Sequence, residues 1–415
     1  MNCLTSKELR RMKNVPEIRF KGFEEEWNSD LISNFSSSFS GGTPSAGVKE
    51  YYGGNIPFIR SGEINNDRTE LCLTNKGLNN SSAKIIDKGT LLYALYGATS
   101  GEVSISKIKG AINQAILAII PYRFMSSNFL SNFLRCKKNE IVNELLQGGQ
   151  GNLSASLVKG IIVNFPKENE QNDIVSFFSF LDELICNLSN YIKSLKQTKS
   201  ACLISMFPQQ GETIPRVRFK GFDGEWKNIK LSECLEISKE INSDNVYSKE
   251  DVLSVSDEMG VMNQIKLLGR SYAGKSVSKY KILKPHQIVY TKSPLKDKPY
   301  GIIKENCGET GIVSVLYAVF NTKENVDPTY IHYYFEPKFR INKYLYPLVN
   351  KGAKNTMNVS DDTTLDGFVY IPSSEAEQHQ IASYFRNLDI QISEQEKRLE
   401  KLKQIKAACL DKMFV

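Results

Sequence analysis

Two stretches of this chain occur twice, in the same order, and no other feature constrains the fold as tightly. Residues 15–27 read VPEIRFKGFEEEW and residues 214–226 read IPRVRFKGFDGEW, so Pro16, Arg19 to Phe23 and Trp27 return 199 positions later. A second pair spans 170–207 and 377–414. Glu170, Gln171, Ile174, Ser176, Phe178, Leu181, Asp182, Lys199, Ala201, Cys202, Leu203, Met206 and Phe207 recur there at a spacing of 207. Start motif, long variable block and helical segment thus follow one another twice, which predicts a structural duplication.

The repeated helical segments carry an apolar stripe of seven-residue period. Ile174, Leu181, Leu188, Leu195 and Cys202 form one row, with Phe178, Ile185 and Ile192 four residues on. Ile381, Leu388, Leu402 and Cys409, interrupted by Gln395, form the second stripe with Phe385, Ile392 and Leu399. This is an a/d seam. Neither segment holds Pro or Gly from 171 to 207 or from 378 to 414, and Pro166 and Pro372 stand just before their starts. About 37 residues make a rod of roughly 55 Å. The run EQEKRLEKLKQIK leaves little apolar surface outside the seam. The two helices are therefore expected to pack on each other, antiparallel, as a pseudo-twofold duplication requires.

The blocks between the repeats read as mixed α+β. NIPFIRSG (55–62), GTLLYALYG (89–97) and AINQAILAIIP (111–121) read as strands and turns, as do QIVYTKSP (287–294), YGIIKEN (300–306) and TGIVSVLYAVF (310–320). SNFLSNFLRC (127–136) and EIVNELLQ (140–147) read as short helices, and YIHYYFEPKFRINKYLY (330–346) as a helix broken near Pro337. The expected organisation is an N-terminal extension (1–14), a first globular domain (15–165), a central coiled-coil helix (166–207), a linker (208–213), a second globular domain (214–372) and a C-terminal helix (373–415). Trp27 and Trp226 are expected in the core. Little sequence is common to the two blocks: SGGTPSAGVKEYYGGNIPFIRSGEI in one faces SKEINSDNVYSKEDVLSVSDEM in the other.

Chemistry-bearing motifs are few. The eight cysteines contain no CxxC and the chain has three histidines, so no zinc spacing is present and scattered reduced thiols in a cytoplasmic protein are expected. The start, MNCLTSKELRRMKN, has no apolar core of a secretion signal, and no apolar run reaches membrane-spanning length. Gly269 to Ser276 matches G-x-x-x-x-G-K-[ST], with Lys275 as its lysine, but β-prone sequence follows where a phosphate loop needs a helix. No Pro-Pro pair exists for an amino-methyltransferase loop, and no GxSxG. No catalytic or metal site is expected.

A net charge of +7, from 53 Lys+Arg against 46 Asp+Glu, permits a polyanionic partner without requiring one. Polar and basic loops supply the candidate DNA contacts: Arg60, Ser61, Lys76, Thr99, Ser100, Gln147 and Gln150 in the first block, and Arg270, Lys275, Lys279, Lys292, Lys296, Lys298, Lys351 and Lys354 in the second. Lys and Arg suit phosphates, while Arg, Asn and Gln also read base edges. A coiled-coil assembly scaffold without DNA specificity, or an NTPase using Lys275, are the readings from other classes.

The doubled RFKGF…W start, GGTPS…YYGGNIPFIRSGEI, GATSG…NQAIL, QGGQGNLS and the twin EQ…I…F…LD helices ending in Met-Phe occur together and in order. As a set they resemble the specificity subunit of Type I restriction–modification enzymes, or of a related system with fused cleavage and methylation. The resemblance implies two target-recognition domains reading the halves of a split double-stranded DNA sequence, with the helices as a ruler. It implies a non-catalytic chain. Its partners would be two modification subunits, which carry S-adenosylmethionine and methylate adenine, and two restriction subunits, which use ATP and Mg. The second block departs from the GGTPS-type pattern, which implies another recognition-domain type.

Overall fold

The computed structural model describes residues 14–145, 152–274, 276–351 and 357–415. They divide into two compact units, one of residues up to Leu188 with Arg398–Val415, the other of Ser189–Lys397. Both repeated segments are single helices, Glu168–Ser205 and Glu375–Met413. Each unit therefore owns one variable block and part of both long helices.

In the first unit β1 (Asn28–Leu31) pairs antiparallel with β10 (Ile162–Phe165), which closes the block on itself. A four-stranded sheet follows, in the order β2 (Ser36–Ser40), β9 (Ile116–Pro121), β6 (Leu91–Ala94), β7 (Val103–Ile105). The outer layer is a second sheet, β4 (Cys72–Leu73), β3 (Tyr52–Ile59), β8 (Gly110–Ile112), β5 (Lys84–Ile86), with β3 parallel to β8. The helix Ser127–Cys136 starts on a Ser126 side-chain cap and buries Phe129, Leu130, Phe133 and Leu134. Their core continues into Ile174, Phe178, Leu181, Met413 and Phe414 of the long helices and their end.

The second unit repeats this plan. β11 (Lys227–Lys230) pairs with β22 (Phe368–Ile371). Its four-stranded sheet runs β12 (Leu235–Ile237), β19 (Tyr317–Thr322), β16 (Ile288–Thr291), β17 (Ile302–Glu305). The outer layer is looser: a hairpin of β13 (Leu253–Ser256) and β14 (Gly260–Asn263) meets a pair of β15 (Lys281–Leu283) with β18 (Gly311–Val313) through one parallel bridge, Val252 with Ile312. A further hairpin joins β20 (Asn350–Lys351) and β21 (Met357–Asn358). As the sequence predicts, Pro337 separates two helices, Pro328–Phe335 and Lys338–Leu345. Blocks without visible sequence similarity thus share a framework. The central strands LLYA and IVYT are buried at every position, and a strand buried on both faces asks only for apolar, β-prone side chains.

The seam forms as the periodicity predicts. In the first unit Leu181 is buried and Ile185, Leu188, Leu399 and Leu402 are half-buried; in the second, Ile192, Leu388 and Ile392 are buried and Leu195 half-buried. Contacts run in opposite directions along the two helices. Phe178 stacks on Phe414 and Asp182 pairs with Lys406 in the first unit. Lys196 meets Glu396, Lys199 meets Asp389 and Cys202 meets the Tyr384 hydroxyl in the second. Asp182–Lys406 and Asp389–Lys199 are the same pair under the duplication. Polar groups in an apolar seam favour one register over its neighbours.

The repeated start motifs clamp each block to the helices. Trp27 and Trp226, 4% and 3% exposed, lie in the cores. Each meets the terminal Phe of one long helix edge-on, Trp27 with Phe414 and Trp226 with Phe207. Arg19 holds Glu170 through two 2.7 Å bonds, and Arg218 holds Glu377 at 2.7 and 2.8 Å. The side-chain amide of Gln171 donates to the carbonyls of Phe124 and Pro166, and its oxygen accepts from Ser126 N. Gln378 repeats this with Asn325, Pro372 and Asp327 N.

One clamp is pH-sensitive. Asp327 caps the helix Pro328–Phe335 and also bonds His379 Nδ1. The bond to Asp327 raises the His379 pKa above its usual 6.5. A raised histidine contributes stability that is fully present below 6.5 and is lost as pH rises through the folded value. His379→Asn, which copies Asn172 of the first unit, is expected to flatten the melting temperature of the protein between about pH 6 and 8. A melting curve whose pH slope is unaltered by the substitution would remove His379 from this role.

Candidate nucleic-acid interface

Outside the framework, the candidate contacts fall on three connections that recur at equivalent places in both units. The first lies in the outer layer, between β3 and β5 or between β13 and β15. Here Arg60 and Ser61 follow β3, Lys76 sits in the short helix Asn75–Asn79, and Arg270 and Lys279 lie in the loop before β15. Arg60 and Lys76 flank opposite ends of β3 and hold different acids, Glu63 and Glu70 at one end and Glu50 at the other. The structure does not bring them together.

The second connection is the turn inside each four-stranded sheet. Thr99 and Ser100 occupy the β6–β7 turn, bonding back to the Tyr96 and Leu95 carbonyls. Lys292, Lys296 and Lys298 occupy the β16–β17 turn. Sequence could not relate these two sets, because the turns share no residues. The third connection follows the second short helix of each block. Gln147 and Gln150 of the first unit, and Lys354 of the second, lie outside the described residues, as does Lys275 of the first connection. Lys351 belongs to β20.

Four of the candidate cations are already engaged. Arg60 holds Glu63 at 2.9 Å and also Glu70, which raises its pKa further. Lys76 holds Glu50. Lys298 has a side chain only 6% exposed and bonds Asp257 and the Glu336 carbonyl. Lys292 bonds Asp361 and the Val359 carbonyl at 2.7 and 2.8 Å. Burial pushes the Asp361 carboxyl up, but its bonds to Lys281 and Lys292 outweigh this and the net shift is downward. Lys292 and Lys298, expected among the DNA contacts, are thus turned onto acids and carbonyls of their own unit. Both buttress the turn, each ammonium spending two of its three donors on a carboxylate and a carbonyl. Lys279 and Lys296 are exposed.

The G-x-x-x-x-G-K-S segment has the wrong context for a phosphate loop. Its Gly269, at φ +78°, ends the helix Gln264–Leu268, and strand β15 comes next. Among the described residues no group of three or more His, Cys, Asp or Glu is placed to hold a metal ion, and no helix is long and apolar enough to cross a membrane. Sequence reasoning missed Tyr272, exposed beside Arg270, and the acids that hold the lysines.

Residues 24–197 match the family model described as Type I restriction modification DNA specificity domain. The Type I restriction enzyme MjaIX specificity subunit of Methanocaldococcus jannaschii is 30% identical over 171 residues, 39% of this chain and 39% of that protein. The HindI specificity subunit of Haemophilus influenzae is 29% identical over 186 residues, 42% of this chain and 39% of that one. The chain thus spans about two fifths of these curated relatives. The crystal structure of a Type I restriction–modification S subunit from M. genitalium superposes with a TM-score of 0.58 at 14% identity, covering 97% of this chain and 99% of that one. A solved chain from work on complex assembly of the type I system gives 0.52 at 14% identity, over 94% and 97%. Residues 24–197 thus match a Type I restriction modification DNA specificity domain, and the chain as a whole has the fold of the solved S subunits.

Proposed function

We propose that this chain is the DNA-recognition subunit of a Type I restriction–modification assembly, with no chemistry of its own. One observation carries the proposal: a single framework occurs twice and bears outer-layer strands and loops of different length and sequence each time. The four-stranded sheets share one strand order, and the Trp, Arg–Glu and Gln clamps are repeated. The outer layers differ in detail: β3 and β8 pair in parallel over two residues in one unit, a single parallel bridge of Val252 with Ile312 joins the two strand pairs of the other, and the loop before β15 is longer than that before β5. Reading two unlike half-sites calls for this division, with scaffold held constant and reading surface varied.

In this reading each unit presents its three connections to one half-site. Ser61, Thr99 and Ser100 contact the duplex in the first unit, with Arg60 exchanging the exposed Glu70, and Lys76 the exposed Glu50, for phosphates. Arg270, Lys279 and Lys296 do so in the second. The long helices set the unread gap between half-sites. Two modification subunits, carrying S-adenosylmethionine, methylate adenines in the site so chosen, and restriction subunits supply ATP- and Mg-dependent cleavage. Single-molecule methylome sequencing of cells expressing the chain with its modification subunit is expected to show one asymmetric two-part motif. A continuous palindrome, or no motif from an intact assembly, would overturn the proposal.

A further inference from the structure

The two units diverge most in the outer-layer connection. In the first, the helix Asn75–Asn79 reaches β5 through residues 80–83; in the second, the helix Gln264–Leu268 reaches β15 only after residues 269–280. The added loop is pinned. Tyr272 N donates to Gln264 Oε1 at 2.6 Å, Gln264 Nε2 donates to Ser254 Oγ at 3.0 Å, and Gln264 N donates to the Val252 carbonyl at 2.8 Å. Ala273 and Tyr280 pack on a small core of Val252, Val277 and Ile312.

On this pinned loop Arg270 and Tyr272 are both exposed, Tyr272 by 60%. The guanidinium carbon stands 4.6 Å from the centre of the tyrosine ring. No ion pair or hydrogen bond engages the Arg270 side chain among the described residues. Arg60, Lys76, Lys292 and Lys298, by contrast, each hold a carboxylate. A carboxylate would take up the N–H donors and cancel the charge. A ring beneath the guanidinium restricts its rotamers and leaves all five donors unspent in one plane. A fixed planar fork of free donors matches the O6 and N7 acceptors of guanine in the major groove.

We infer that Arg270, held on Tyr272, reads a guanine in the half-site of the second unit: Arg270 is the specificity-determining residue and Tyr272 its positioning residue. The inference rests on the DNA-recognition reading above. It is tested by methylome sequencing of the complete assembly carrying Arg270→Ala, Arg270→Lys, Tyr272→Ala or Tyr272→Phe, with modification-subunit copurification as the control for folding. Both side chains lie on the surface, and the lysine and phenylalanine variants are conservative. Arg270→Ala and Arg270→Lys are expected to relax one G·C position of one half-site, lowering discrimination there about tenfold to a hundredfold. The gap and the other half-site stay as they were. Tyr272→Ala relaxes the same position less, and Tyr272→Phe keeps the full motif. A motif unchanged by Arg270→Ala overturns the inference. So does an equal loss of binding at every sequence, which is the signature of a phosphate anchor. If the unaltered protein yields no two-part motif, the failure belongs to the underlying reading and is visible before any variant is compared.

Discussion

Arg218→Met is expected to destabilise the second unit by about 3–5 kcal/mol, the cost of leaving a buried charge without its partner. Glu377 is 1% exposed, in the first turn of the second long helix. Arg218 satisfies both its oxygens and spends two further donors on the carbonyls of Asp223 and Gly224. The bond to Glu377 holds the guanidinium pKa above its usual value. Removing only the arginine strands the carboxylate in the core. Removing both, as Arg218→Met with Glu377→Leu, is expected to restore most of the loss, because two apolar groups bury there without penalty. Hydrogen exchange resolves the two units where a single melting temperature would not. The loss should appear in residues 214–372 and leave 15–165 protected. The matching Arg19→Met should cost less. Glu25 replaces the equivalent of Gly224, and Arg19 Nη1 is buried without a partner, so that clamp is already incomplete. A loss below about 1 kcal/mol, or one shared equally by both units, would deny the pair its clamping role.

How much of this was legible beforehand follows from what periodicity can encode. The seam and the duplication were written in spacing: Leu181, Ile185, Ile192, Leu388 and Ile392 fall at a and d and pack as such. The break at Pro337 was an equally local signal. What could not be read was the common framework of the two blocks. Burial on both faces admits LLYA and IVYT alike, so the sheet repeats where the letters do not. Nor could the fate of individual lysines be read. Lys298 and Asp257 are 41 residues apart in the chain, and Lys292 and Asp361 are 69 apart. Whether a lysine meets an acid at such range is settled by topology, and a basic loop in sequence looks the same before and after its charges are spent. Tyr272 left a faint signal, an aromatic two residues after an arginine in a glycine-bounded loop. Its meaning depends on the pinning by Gln264.

Lengthening both long helices by seven residues should move the protein to a new set of targets altogether. Each helix runs unbroken across the boundary between the units, which falls after Leu188 in one and after Lys397 in the other. Insertions after Asn190 and after Lys397 are equivalent under the duplication. Seven residues add one heptad, so a and d positions keep their phase and the Lys199–Asp389 and Lys406–Asp182 pairs stay in register. The added rise is about 10.5 Å, which at about 3.4 Å per base pair widens the gap by roughly three base pairs. A four-residue insertion is a stutter that unwinds the coil locally, and should give a weaker and less uniform motif. An insertion in one helix alone mismatches the seam and should abolish methylation. Methylome sequencing of the doubly extended protein is expected to show both half-sites unchanged around the longer gap, with the original motif unmethylated. Retention of the original gap would mean that something other than these helices sets the spacing.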